Sequence, residues 1–240
     1  MNPPHLLYLN KKGTSWFNPG YGLNGFWNEY RKLSQKLNKP HDYVWNHRDL
    51  KRAKEIYAIS IIAKAMEIQE KTGPWWILKP DDDPPDGVIG TIIDGKMSVR
   101  EVEVVECMSK DILETIRKKL SRKRYEPNTF LVCYLSDGGI YNLEEISNII
   151  SIEETSLDKI FIVFTGTKLD SIPQSANKND ALRAIFKVSS VQIKPTYSFV
   201  AIDPIKDCEG WENSSFFIFE KRGMGDIRPI KLENPPKLFR

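Results

Sequence analysis

Apolar and polar positions along this chain follow two periods, and the change of period marks the elements. Residues 48–71 carry Ala53, Ile56, Tyr57, Ile59, Ile61, Ile62, Ala63, Ala65, Met66 and Ile68. Those positions cover more than half the circumference of a helix, which predicts one long helix buried on two sides and ended by Thr72-Gly73-Pro74. Glu55 shares a stripe with Ile59, Ile62 and Met66 at spacings of four, three and four. Its carboxylate is therefore expected to point toward the core, where it needs a partner or a function. Glu67 and Glu70 read as surface residues.

Past a short strand at residues 75–79 and an acidic, proline-rich link, the period drops to two. Residues 84–106 contain two runs rich in β-branched residues around Asp94-Gly95. That dipeptide suits a two-residue primed turn, whose central residues both need positive φ. If Asp94 and Gly95 are the loop, Ile93 faces Lys96, and counting back sets Asp86 opposite Glu103. Alternation then gathers Asp86, Glu101 and Glu103 on one face and Val102 and Val104 on the other.

The remaining pattern is of mixed type. Residues 109–122 read as a helix, with Ser109 able to cap it and Ile112, Leu113, Ile116 and Leu120 on one stripe. Apolar runs at 130–135 and 159–164 read as buried strands, and the helix at 142–150 between them makes a parallel crossover. Three further strands are predicted at 185–193, 198–202 and 215–221, before a Pro-rich tail. The first 47 residues are rich in aromatics (Trp16, Phe17, Tyr21, Phe26, Trp27, Tyr30) and in turn formers, with a short helix at 25–36. These aromatics are expected to anchor an N-terminal extension, 1–47, on a core domain, 48–240. The order of elements argues for one α/β domain with a mixed sheet flanked by helices and with elaborations at both termini.

Composition narrows the class. The 240 residues are 40% hydrophobic and 28% charged, ordinary for a soluble globular chain. No apolar run approaches a membrane span, and the first residues lack the basic-then-apolar pattern of a secretory signal. Cys107, Cys133 and Cys208 form neither a disulfide framework nor a zinc pattern, so a reducing, cytoplasmic setting is expected. Cys107 and Cys133 fall in or beside predicted strands and should be buried thiols. His5, His41 and His47 have no metal-ligand spacing, and no Gly-rich phosphate loop, Gly-x-Ser-x-Gly or HExxH motif occurs.

Three carboxylates sharing a face of adjacent strands repel one another, and a proton or a bound cation is the usual remedy. Oxygen-only donors suit Mg²⁺ or Mn²⁺. The other reading is a half-buried strand showing charges to water. The run Asp81-Asp82-Asp83 in a prolyl link reads as solvated. The net charge of +3 is too small to imply nucleic acid, but its distribution is uneven. One cluster is Arg117, Lys118, Lys119, Arg122, Lys123 and Arg124; another is Arg48, Lys51, Arg52 and Lys54. Such clusters either track a phosphate backbone or complement a helix C-terminus.

The order helix, strand, strand, strand, helix, strand, with Pro85-Asp86 opening the second strand and Glu101-Val102-Glu103 in the third, resembles the PD-(D/E)xK, or restriction-endonuclease-like, nuclease superfamily. The resemblance spans residues 48–164. It implies a restriction-endonuclease-like αβββαβ core and Mg²⁺- or Mn²⁺-dependent hydrolysis of phosphodiester bonds in DNA, as in restriction or defence nucleases. Asp86 and Glu101 would be metal ligands, the main-chain carbonyl of Val102 a third, and Glu55 the acid from the first helix. Glu103 stands where the motif has Lys, and would be a further ligand or a general base. A second register makes Glu103 the acid and puts Val105 in the lysine position, which suits a catalytically inactive module that binds nucleic acid or a protein. Arg117, Lys118, Arg122, Lys123 and Arg124 would hold the backbone beside the cut. Cutting both strands of a duplex takes two sites, which points to a homodimer.

Overall fold

In the computed structural model, the residues described are 15–80, 85–122, 125–126, 128–137, 141–151, 157, 159–166, 187–204, 206–208, 216–222 and 226–231. They form an α/β fold on a ten-stranded mixed sheet in the order β10-β9-β1-β2-β3-β4-β5-β6-β7-β8. The strands are β1 (Trp16–Phe17), β2 (Trp75–Leu78), β3 (Gly87–Ile93), β4 (Lys96–Cys107), β5 (Thr129–Leu135), β6 (Lys159–Thr165), β7 (Val188–Lys194), β8 (Ser198–Ile202), β9 (Phe216–Arg222) and β10 (Asp226–Lys231). The helices are α1 (Pro19–Leu37), α2 (His41–Trp45), α3 (Lys51–Glu70), α4 (Ile112–Arg122) and α5 (Leu143–Ser151). From β2 through β4 the strands run as an antiparallel meander, and β5 and β6 then add parallel to β4. The parallel crossover expected around residues 142–150 is therefore present, with α5 in it.

Helix α3 organises the structure. Thirteen of its twenty residues are buried, including Lys54, Ser60 and Lys64, as an apolar stripe wider than one face requires. One side of it packs on Ile77, Ile89, Val102, Val132 and Tyr134 of the sheet; the other receives Leu23 and Phe26 of α1. Each large side chain buried there contributes roughly 1.5–3 kcal/mol. Two glycines set the spacing. A Cβ on Gly22 would lie 2.0 Å from Ser60 Oγ, and one on Gly87 would lie 2.4 Å from Ile59 Cδ1. The helix thus lies against the backbone of α1 and against the first residue of β3.

The opposite face is covered differently. Leu131, Cys133 and Leu135 of β5, with Cys107 of β4, pack under Ile112 and Ile116 of α4. Nearer β1, the residues Trp16, Trp76, Leu78, Val88, Met97 and Val99 make a separate small core. Cys107 and Cys133 are buried free thiols, as expected, and so is Cys208.

Both termini are woven in more deeply than an appended extension and tail. The first helix runs from Pro19 rather than residue 25, because Asn18 Oδ1 accepts the Tyr21 N–H at 2.8 Å and Pro19 occupies the first turn. Trp16–Phe17 pair with both β2 and β9. Part of the expected Pro-rich tail is strand β10, and Pro229 is accommodated because β10 is a sheet edge, where a missing N–H costs little. Residues 81–83, 123–124 and all of 167–186 lie outside those described. No described helix is long and apolar enough to cross a membrane.

Candidate active site

The β3–β4 reversal is the two-residue turn that Asp94-Gly95 implies. Their φ values are +50° and +72°, and Ile93 pairs with Lys96. The register continues without a bulge to Gly87 opposite Val102, and Asp86, in the bend just before β3, comes next to the Glu103–Val104 stretch of β4. Both are buried, at 8% and 7% exposure. Glu101 lies on the same face, half-buried, opposite Val88 rather than Asp86. The structure therefore sets Asp86 with Glu103 first, and Glu101 two residues further along the strand.

Counting from the turn, Val102 falls in a narrow pair with Gly87, the first residue of β3, so Val104 has no partner within that strand. The N–H of Val104 is taken instead by the Asp86 side chain, Oδ2 accepting at 2.8 Å. One oxygen of Asp86 thus substitutes for the missing ladder partner. Val105 is an apolar residue packed against the core under α4.

Tyr125, three residues past α4, belongs to the same neighbourhood and was not singled out by the sequence. It is 6% exposed, and its hydroxyl is pushed up to about 12, first by burial and then by the negative charges of Glu103, Cys133 and Asp86. The phenol stays a neutral hydroxyl throughout the physiological range. Only an aromatic among basic residues marks it in the sequence, which is too common a pattern to select it.

Glu55 does point inward, as its stripe requires, but toward the helix-covered side of the sheet. Its carboxylate is 12% exposed, with Lys79 Nζ at 3.1 Å and Lys51 Nζ at 3.7 Å. Lys79 also donates to the main-chain carbonyl of Asp86 at 2.5 Å. A second ion pair, Lys54 to Glu106 at 2.6 Å, lies on that same side. Glu55 is thus tied to the backbone of Asp86, not grouped with the carboxylates of Asp86, Glu101 and Glu103.

Of the basic cluster, Arg117 and Lys118 are exposed on α4. The side chain of Arg122, and Lys123 and Arg124 altogether, lie outside the described residues. Among the described residues no group of three His, Cys, Asp or Glu side chains is arranged to hold a metal ion. The residues that do converge are the two buried carboxylates of Asp86 and Glu103. That donor set suits Mg²⁺, which keeps much of its water and is commonly held by one or two carboxylates together with substrate phosphate. Comparison with family models, with curated proteins and with solved structures finds no match for this chain.

Proposed function

We propose that this protein is a metal-dependent nuclease that hydrolyses phosphodiester bonds, with DNA as the favoured substrate and a restriction-endonuclease-like core. The observation that carries this reading is the pairing of Asp86 with Glu103. Two carboxylates buried on one face of neighbouring strands repel unless a proton or a cation lies with them. The element order α3-β2-β3-β4-α4-β5, with an antiparallel meander followed by a parallel strand, supports the resemblance to PD-(D/E)xK nucleases. Asp86 and Glu103 would hold Mg²⁺ or Mn²⁺, with Glu101 beside them.

When bound, the ion supplies Lewis-acid polarisation of the phosphate and lowers the pKa of a water. The chain's own residues have separate parts. Asp86, whose Oδ2 accepts the Val104 N–H, would bring its carboxylate to the site. Glu103 accepts the proton of the attacking water. Tyr125, held neutral, donates a hydrogen bond toward the negative charge that develops on phosphate. Arg117 and Lys118 contact the backbone next to the scissile bond. A homodimer would bring two such sites to a duplex.

The test is cleavage of supercoiled plasmid with Mn²⁺ or Mg²⁺ by wild type and by Asp86→Asn, which keeps a hydrogen-bond acceptor for Val104 and removes the charge. Cutting by the wild type that the variant loses supports the proposal; equal behaviour of the two rejects it. A second reading, a nucleic-acid-binding module without catalysis, is favoured by the apolar Val105 in the lysine position. It requires DNA affinity that is intact in Asp86→Asn, with no binding of Mn²⁺ by calorimetry.

A further inference from the structure

We propose that Lys79 is a positioning residue for Asp86, acting from the far side of the sheet; this rests on the nuclease reading above. Lys79 follows the last residue of β2 and its side chain is only 9% exposed. A buried ammonium is tolerated where its donors are used. Here they are used on Glu55 Oε2 at 3.1 Å and on the carbonyl oxygen of Asp86. The lysine is therefore spent on the main chain of the very residue whose side chain faces Glu103.

Asp86 is gripped from three directions. Lys79 holds its carbonyl from the helix side, the Val104 N–H holds Oδ2 from within the sheet, and Ile59 presses on the neighbouring Gly87, where even a Cβ would find no room. These contacts fix the plane of the carboxylate and so the direction of Oδ1. Holding a reacting group to within about half an ångström is what supporting residues contribute to a site. Glu55 then serves to orient Lys79, and joins the site indirectly, through a lysine and a peptide carbonyl.

The experiment uses the full chain in three forms: Lys79→Met, Lys79→Arg, and the double variant Glu55→Leu/Lys79→Met. The double variant removes both charges together, so no buried charge is left alone and the fold is kept. Amide hydrogen exchange is followed at Val104, with Phe161 in the middle of the sheet as the internal reference. The expected result is a rise of at least tenfold in the Val104 to Phe161 exchange ratio in the double variant, and recovery in Lys79→Arg. Plasmid cleavage with Mn²⁺ should show kcat lowered about tenfold in the double variant with KM unchanged. An unchanged Val104 ratio in the double variant overturns the role of Lys79, whatever the cleavage rates. A wild type that cuts no plasmid while the Val104 ratio rises overturns the nuclease reading and leaves Lys79 as the support of Asp86.

Discussion

The two faces of the sheet pair their acids in different ways around β3 and β4. On the α3 side, Glu55 meets Lys79 and, further off, Lys51, and Glu106 meets Lys54. On the other side, the buried Asp86 and Glu103 both lie close enough to Tyr125 for their charge to raise its hydroxyl. Acid matched with base is an arrangement that stabilises or at least neutralises itself. Acid set beside acid is an arrangement in which the two charges repel and each favours a proton or a cation near it. Glu55, Asp86 and Glu103 were all candidates by sequence pattern, whereas Glu106 was not, so the pattern alone did not say which acid would meet a lysine.

Breaking the acid pair should have the largest effect. Removing the proton acceptor with Glu103→Gln is expected to lower Mn²⁺-dependent cleavage by about 10²–10⁴-fold, measured as initial rates on plasmid. Breaking the opposite face should instead be read in stability. Lys79→Met alone leaves Glu55 buried beside only the more distant Lys51, and should cost about 3 kcal/mol in urea unfolding; replacing both partners should cost little. Gly87→Val drives a side chain into Ile59 and should cost about 1–3 kcal/mol, or more if α3 cannot shift.

Smaller effects sharpen the same contrast. Lys118→Ala should weaken DNA binding uniformly across sequences and reduce the salt slope by about one, if that side chain meets one phosphate. The smallest effect is alkaline. Tyr125 has a folded pKa raised from 10.0 to about 12, so the folded state keeps the proton longer than the unfolded state does. Its contribution to stability is complete below about pH 10 and is lost as pH rises toward 12. Tyr125→Phe should flatten that decline, followed by thermal unfolding between pH 9 and 12.

Much of this was legible from residue patterns because the patterns are local. Asp94-Gly95 fixed the hairpin register, since few other dipeptides accept positive φ twice, and the register brought Asp86 next to the Glu103–Val104 stretch. The two-sided burial of α3 followed from isoleucines spread around its circumference. Pairings between distant elements were less visible. Lys79 reads as a solubilising charge at a strand end, and nothing periodic links it to Glu55, 24 residues earlier. The start of α1 at Pro19 was hidden by Gly20, Gly22 and Gly25, which lower helix propensity; all three are buried, and Gly22 at least is there to let α3 approach. Strand β10 was hidden by Pro229, whose tolerance depends on its place at the edge of the sheet.

The two-residue strand β1 has a consequence for how the molecule is made. Trp16 pairs with Phe217, about 200 residues later in the chain, and β9 reaches the rest of the sheet through that contact. During synthesis Trp16 and Phe17 must therefore wait for nearly the whole polypeptide before their partners in β9 emerge. Contacts so remote in sequence slow folding, and until β9 emerges the edge of Trp16–Phe17 that it will pair with has no strand beside it.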